Sequence, residues 1–394
     1  MADHVVDVSR LRRRIALGLQ LTGIDRVTTE YLRWCLDHQG ASCFKFGQRL
    51  VFRSHARSRR LLEVVDRYWK GERPARSFRK PRFLARNLFD AFAAILGSGI
   101  NSGPLIFNVS HTWLQEQRIW DQVDRLNGRV VTFIHDLIPI SHPEFNRPHA
   151  PDLHRARLAK ALTNSAAIIV NSEYTRACVN DYATSNGISP PPVIAAHLGA
   201  RQVVTSSGSQ EASRPYFVIL GTIEPRKNHQ LLLNIWKQLV AEKCDPVPLL
   251  YIVGKVGWNS SQLIDELKRC HELHPYVHLV HEASDAEVDA LISSSRALLF
   301  PSFVEGYGLP LVEALALGVK AIASPLPPFI ELAGDLPEYV DPSDTQRWKE
   351  LILEALQEAP ASATGRQQDM KRLELPTWAD HFEKVETFIG HHLP

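Results

Sequence analysis

Short apolar runs alternating with amphipathic stretches organise most of the chain. Residues 104–109, 129–134 and 166–171 (Ala166-Ala-Ile-Ile-Val-Asn171) are apolar enough to be parallel strands buried on both faces. Further along the alternation sharpens. Strands are expected at 216–220, 249–254, 277–281, 297–300 and 319–323, with helices at 227–242, 259–273, 285–295 and 309–317. Strands separated by helices of this length form βαβ units, and hence doubly wound parallel sheets. The least hydrophobic stretch, Thr205-Ser-Ser-Gly-Ser-Gln-Glu-Ala-Ser-Arg214, predicts a linker. It divides the 394 residues into domains at 1–204 and 215–375, since a chain this long exceeds one core. A helical pattern from Trp378 to Ile389 marks a separate C-terminal segment, 376–394.

Composition narrows the class. With 44% hydrophobic and 22% charged residues the chain is an ordinary globular protein, and a net charge of +2 gives no reason to expect a nucleic-acid partner. Its five cysteines (Cys35, Cys43, Cys178, Cys244, Cys270) are scattered and never form a Cys-x-x-Cys pair, which suits a reducing compartment. Arg10, Arg12, Arg13 and Arg14 precede no apolar signal region, and no window approaches eighteen apolar residues. The expectation is a soluble cytoplasmic protein.

Charge is nevertheless concentrated in one place. Arg49–Arg86 holds thirteen Lys or Arg against three acids, Glu63, Asp66 and Glu72. Tyr68, Trp69, Phe78 and Phe83 are interleaved, and Phe83, Leu84, Leu88, Phe89, Phe92 and Ile95 recur at helical spacing. Such a segment suits an anionic membrane surface or a polyanionic acceptor, so the protein is expected to be peripheral at the cytoplasmic membrane. The same pattern also fits a solvated face whose apolar stripe packs inward.

Ligands of doubly wound sheets bind where strand ends lead into helices. After Phe217-Val-Ile-Leu220 comes Gly221-Thr-Ile-Glu-Pro-Arg226-Lys227-Asn228. Adjacent cations before a helix oppose its dipole preference, which makes sense if an anion such as a diphosphate docks there. After Leu298-Leu-Phe-Pro-Ser302 comes Phe303-Val-Glu305-Gly306-Tyr307-Gly308-Leu309-Pro310-Leu311-Val312-Glu313. Gly306 and Gly308 let the backbone approach a ligand, and Pro310 suits a first helical turn. Glu305 and Glu313 can each accept hydrogen bonds from a diol, Glu305 from a transferred sugar and Glu313 from a ribose.

The segment from Phe217 to about Asp344 resembles the donor-binding domain of the retaining GT-B enzymes of glycosyltransferase family 4, whose paired glutamates match Glu305 and Glu313. The resemblance implies two Rossmann-like doubly wound domains facing across a cleft that closes on a nucleotide-diphosphate sugar. It extends to Thr22-Gly23-Ile24-Asp25-Arg26-Val27, similar to a glycine loop after the first strand that approaches the donor phosphates. Phe133-Ile-His135-Asp136-Leu-Ile-Pro139 is similar to a strand end whose histidine contacts the donor hexose. The segments Thr22–Val27 and His135–Pro139 together resemble bacterial mannosyltransferases of surface polysaccharide assembly. That implies GDP-mannose as donor, with UDP-hexoses the alternative, and a lipid-linked or oligosaccharide acceptor. Many family members carry Arg directly after the glycine matched by Gly221; here it is Thr222, so the phosphate-binding pair is Arg226 and Lys227.

On this reading His135, Glu305, Arg226 and Lys227 are catalytic. Gly23, Ile24, Gly306, Tyr307, Gly308, Leu309 and Glu313 complete the donor site, and the C-terminal helix crosses back to the first domain. No residue presents itself as a covalent nucleophile, and no Asp-x-Asp triplet occurs, so catalysis is expected to need neither metal nor cofactor. Gly97–Gly103 follows a helical pattern instead of a strand, unlike a dinucleotide fingerprint. His271, His274, His278 and His281 resemble metal spacing, but the last two fall on opposite faces of a strand. A nucleotide-sugar epimerase of the same fold, a pyridoxal-phosphate phosphorylase and an inactive binding module are the rival readings.

Overall fold

The computed structural model describes residues 4–72, 103–200, 214–358 and 375–393. The linker 205–213, the run from Phe83 to Ile95 and the basic segment beyond Glu72 lie outside them. The chain divides into two units, one of Met1–Ile140, His149–Leu198 and Trp378–Pro394, the other of Ser141–Pro148 and Gly199–Thr377.

The first unit is built on a seven-stranded sheet of β1 (His4–Asp7), β2 (Ala41–Phe46), β3 (Arg49–Phe52), β4 (Leu105–Asn108), β5 (Arg129–Ile134), β6 (Ala167–Val170) and β7 (Val193–Ala195). Its order is β3-β2-β1-β4-β5-β6-β7, parallel except for the β2–β3 pair. Val5, Ile106, Trp113, Trp120 and Ile168 fill one side of the core. The second unit carries β8 (Tyr216–Leu220), β9 (Leu249–Val253), β10 (Val277–Val280), β11 (Leu298–Phe300), β12 (Ala321–Ala323) and β13 (Glu338–Tyr339), ordered β10-β9-β8-β11-β12-β13 and wholly parallel. Phe217, Trp236, Leu250 and Trp348 pack in one core cluster of this unit, and Val218, Phe300, Leu311 and Phe329 in another. Strands buried on both faces carry no polar face, which is why their sequence reads as continuous apolar runs.

The helix Trp378–His392 packs within the first unit. Buried His381 donates from Nδ1 to the His197 carbonyl at 3.0 Å and accepts from the Tyr31 hydroxyl at 2.9 Å. Phe382 stacks on Trp34 with ring centroids 5.1 Å apart, and Trp34 Nε1 donates to Glu386 at 2.6 Å.

Two expectations need correcting. Ser141–Pro148 groups with the second unit, where Phe145 stacks on Phe303 at 5.7 Å, so the first unit is not one continuous stretch. Thr22–Asp25 is the start of a helix, Gly23–Asp37, not a loop directly after the first strand, because the helix Ser9–Ala16 intervenes. Asp25 accepts the Thr22 backbone N–H at 2.8 Å, closing a capping box that fixes the helix there.

In the basic segment, β3 is followed by the helix His55–Trp69. Val65 and Tyr68 are buried in the first unit, and Trp69 Nε1 donates to Thr29 Oγ1 at 3.3 Å. Arg59, Arg60, Arg67 and Lys70 remain exposed. The two aromatics thus serve packing, and the charges serve the surface. Among the described residues no helix is long and apolar enough to cross a membrane.

Candidate active site

In the second sheet β8 and β11 are neighbours, but the chain leaves β8 toward β9 and β11 toward β12. The two following loops therefore diverge at a topological switch point, where such sheets open a crevice. This is where the sequence placed its two chemical loops.

The first loop turns through a short 3₁₀ segment, Pro225–Lys227, into the helix His229–Ala241. Asn228 makes the joint in a left-handed conformation (φ 55°), with its amide donating to the Pro342 carbonyl at 2.8 Å. Lys227 runs back beneath Gly221. A Cβ at Gly221 would stand 3.2 Å from Lys227 Cε, on a backbone with φ +143°. Glycine therefore serves both conformation and space here.

The second loop brings Glu305 to both cations. Lys227 Nζ lies 2.5 Å from Glu305 Oε1, and Arg226 donates to Oε2 at 2.6 Å. Ser302 adds its hydroxyl to Oε1 at 2.9 Å. Arg226 is gripped from its other side by Glu224, Nε to Oε1 at 2.7 Å, and it also donates to the Val304 carbonyl at 3.2 Å. Lys227 Nζ sits 4.4 Å from the centre of the Phe300 ring. Burial alone would raise the Glu305 pKa, but Arg226 and Lys227 outweigh it and hold the carboxyl at about 2. Burial pushes the Lys227 ammonium below its usual value, against the pull of Glu305. Two cations and two carboxylates leave the cluster close to neutral.

The helix Leu309–Ala316 begins directly after this loop, with Gly308 at φ +128° as its cap and Pro310 in its first turn. A Cβ on Gly308 would come within 2.7 Å of the Phe329 ring, so no other residue fits without displacement. Tyr307 is buried in the loop, and Glu313 is buried among Leu311, Val312, Ala314 and Leu315. The structure thus brings Arg226, Lys227, Glu305 and the Gly306–Leu309 turn together past the carboxyl ends of the two central strands, β8 and β11. Glu224 was not singled out from the sequence, although its place two residues before Arg226 was visible there.

His135 belongs to the first unit, buried just after β5, where burial lowers its imidazole to about 4. Its Nε2 bonds the Val109 carbonyl at 2.7 Å. Near it stand His111, with ring centroids 5.5 Å away, and His154, whose ring is 5.9 Å from that of His111. Gly23 and Ile24 open the capped helix, whose buried Asp25 is held by Arg10 and Arg14, each at 3.1 Å. The four suspected metal histidines do not converge. His271 and His274 pair with each other, His278 packs on Tyr251, and His281 bonds the Gly254 carbonyl.

Comparison with known proteins bears on this arrangement. Residues 204–372 match the family of Glycosyl transferases group 1. The chain is 30% identical over 231 residues to the serotype-specific mannosyltransferase WbdA of Escherichia coli, a match covering 54% of this chain and 28% of that one. It is 26% identical over 249 residues to the O-antigen chain mannosyltransferase B of Escherichia coli, covering 58% of this chain and 62% of that one. The chain therefore spans less than two thirds of either relative. Among solved structures it is similar to Anabaena Alr3699/HepE in complex with UDP and glucose, with a TM-score of 0.66 at 13% identity over 99% of this chain and 100% of that one. Staphylococcus aureus TarM gives a TM-score of 0.58 at 13% identity, over 74% and 55%. The fold is that of the GT-B glycosyltransferases, two parallel-sheet Rossmann-like units.

Proposed function

We propose that this chain is a retaining hexosyltransferase of glycosyltransferase family 4 that moves mannose from GDP-mannose onto a lipid-linked or oligosaccharide acceptor in polysaccharide biosynthesis. The observation that carries the reading is the Arg226–Lys227–Glu305 cluster at the switch point of the second sheet, inside the segment that matches Glycosyl transferases group 1. Mannose is supported by relatives named as mannosyltransferases.

Hexosyl transfer passes through an oxocarbenium-like state while negative charge gathers on the departing diphosphate. Arg226 and Lys227 are fixed before the donor arrives, and preorganised cations aimed at developing charge supply the largest catalytic contribution in such sites. In this scheme the diphosphate takes over the two cations from Glu305, the backbone around Gly306–Leu309 adds amides, and Glu313 receives the ribose. Released from part of its pairing, Glu305 accepts from the transferred sugar. His135 takes its sugar-contacting role from the family resemblance. The exposed charges of the basic segment hold the enzyme at an anionic membrane or on its acceptor.

A thermal-shift panel of GDP, UDP and their hexose conjugates tests the donor, because a ligand that binds only the native state raises its stability. Stabilisation by GDP and GDP-mannose is the expected result. Stabilisation by UDP alone would move the assignment to UDP-hexoses, the nucleotide in the Alr3699/HepE complexes. A free hexose or epimer released with no glycosylated product would make the protein an epimerase or a hydrolase.

A further inference from the structure

We propose that Leu17 and Leu19 form an anchor that enters the interface of an anionic bilayer and holds the first unit against the surface where a lipid-linked acceptor lies. The proposal rests on the glycosyl-transfer reading above and adds an apolar element to the basic segment.

Among the described residues of the first unit, the large apolar side chains left exposed are Leu17, Leu19 and Phe46. A single exposed leucine is ordinary. Here two stand either side of one glycine, 53% and 44% exposed, while Leu21, two residues on, is buried.

The backbone explains how they come to point outward. The helix Ser9–Ala16 ends in a Schellman turn, in which Gly18 at φ +66° donates to the Ile15 carbonyl at 3.0 Å and Leu19 to the Arg14 carbonyl at 2.9 Å. In such a turn the residue at the place of Leu19 commonly packs on the side chain at the place of Arg14. That side chain is here an arginine, and it turns inward. Its Nε donates to the Gln20 carbonyl at 3.1 Å and lies 3.1 Å from buried Asp25. Leu19 thus lacks the apolar cover that the turn would otherwise give it. The loop is nonetheless held firmly. The Tyr68 hydroxyl donates to the Leu19 carbonyl at 3.1 Å, and Leu11, Ile15, Leu21, Val65 and Tyr68 form one buried cluster. The backbone is fixed while the two leucines stay in solvent, which is the arrangement of a preformed anchor.

Charge selects the partner. Arg13 lies one turn before Leu17 and is exposed, as are Arg67 and Lys70 at the end of the helix whose Tyr68 holds the loop. Glu72 opposes them there, since Asp66 is taken by Arg33 at 2.9 Å. Leucines rimmed by cations suit an anionic lipid interface, where apolar side chains enter the headgroup–acyl boundary and Lys or Arg meet the lipid charge. A protein partner fits less well, because two side chains fall far short of the roughly 800 Å² per partner that a stable complex buries. The loop also stands in a useful place. Arg10 and Asp25, paired beside it at 3.1 Å, lie in the electrostatic field of His135, so an anchor here keeps the strand ends of the first sheet near the membrane.

The test is co-sedimentation of the full chain with phosphatidylglycerol–phosphatidylcholine vesicles across a salt series. Leu17→Gln and Leu19→Gln keep the charge. Each should lower the partition coefficient about tenfold, the loss expected when one half-exposed leucine no longer buries, at every salt concentration and with an unchanged salt slope. Arg13→Gln should make the slope shallower as well. Leu19→Trp should bind more tightly than the parent, because tryptophan favours the membrane interface, and misfolding cannot produce such a gain. Melting temperature and GDP affinity should stay parental throughout. If a glutamine variant fails to fold, Leu19→Trp carries the test. Glutamine variants that bind vesicles as the parent does, or a Leu19→Trp variant that binds no tighter, would overturn the proposal. So would a parent that is dimeric without lipid and monomeric as Leu17→Gln, since the leucines would then meet a second copy. A parent that binds vesicles through its leucines yet transfers no hexose would overturn the transfer reading and leave the anchor standing.

Discussion

Lys227 and Glu305 meet at 2.5 Å, the one on the loop after β8, the other on the loop after β11, and the contact joins the two loops that diverge at the switch point. Lys227 is buried, so its ammonium has few partners besides Glu305 and the Phe300 ring. Lys227→Ala should cut turnover by about a hundredfold or more, the usual effect of losing one preorganised contact to transition-state charge. Steady-state kinetics with saturating acceptor checks it. Near-parental turnover would remove the diphosphate from this loop.

Gly221 supplies the space in which Lys227 lies. Gly221→Ala would force an alanine to φ +143° and press its methyl against Lys227 Cε. Affinity for the nucleoside diphosphate, measured by calorimetry, should fall about tenfold while the fold survives. An unchanged affinity would mean that Lys227 does not hold the phosphates from its observed position.

Glu305 binds both cations before any donor arrives, and that changes what its removal should do. Glu305→Gln takes the carboxylate from buried Lys227 and one of two carboxylates from half-buried Arg226, and breaking a buried pair costs about 3 kcal/mol or more. The variant should melt well below the parent, and nucleoside diphosphate should raise its melting temperature more than it raises the parent's. Glu313→Ala should melt near the parent yet bind the diphosphate about tenfold more weakly, as it loses a charged hydrogen bond to the ribose. Equal diphosphate binding in Glu313→Ala and the parent would show the ribose assignment to be wrong.

Much of this site was legible in the residues because it is local. Arg226 and Lys227 lie within one loop, and so do Glu305 and Gly308, and apolar runs located the strands that carry them. What could not be read was pairing across 79 residues, such as Arg226 with Glu305. Nor could the sequence show that Glu224 grips the same guanidinium. The first sheet was harder to see. His4–Asp7 is four residues long with a histidine at one end and an aspartate at the other, and β2 carries Ser42 and Lys45, so neither reads as an apolar run. The helix that begins at Gly23 is set by Thr22 and Asp25, a capping pair that the glycine alone did not reveal. His111 gave no local pattern at all, because its backbone conformation and its bond to Phe133 are tertiary facts.

His229, the first residue of its helix, is buried with no hydrogen-bond partner on either ring nitrogen among the described residues, and burial with Lys227 nearby lowers its pKa to about 3. The unfolded chain binds a proton at about 6.5 that the folded chain refuses, so stability declines as pH falls from there toward 3. The share of this one group is about 1.4 kcal/mol per pH unit. His229→Leu removes both that proton and two unpartnered polar atoms. It should melt above the parent at pH 7, with the gap widening at pH 5. A gap that closes on acidification would refute the assignment.

The basic segment should serve the acceptor or the membrane and leave the donor alone. Arg59, Arg60, Arg67 and Lys70 are exposed on a helix whose Tyr68 and Trp69 turn inward, so attraction to a surface here must come from charge more than from aromatic insertion. Each cation near an anionic bilayer is worth about 1 kcal/mol, and the attraction fades within a Debye length. The protein should pellet with phosphatidylglycerol vesicles at low salt and be released as salt rises. Replacing Arg73, Arg76, Arg79, Lys80 and Arg82 with glutamine should abolish pelleting while GDP affinity stays at the parental value. If the parent ignores anionic vesicles at low salt, the segment is a solvated face or a site for a soluble acceptor. If the glutamine variant loses GDP binding as well, these charges belong to the donor site after all.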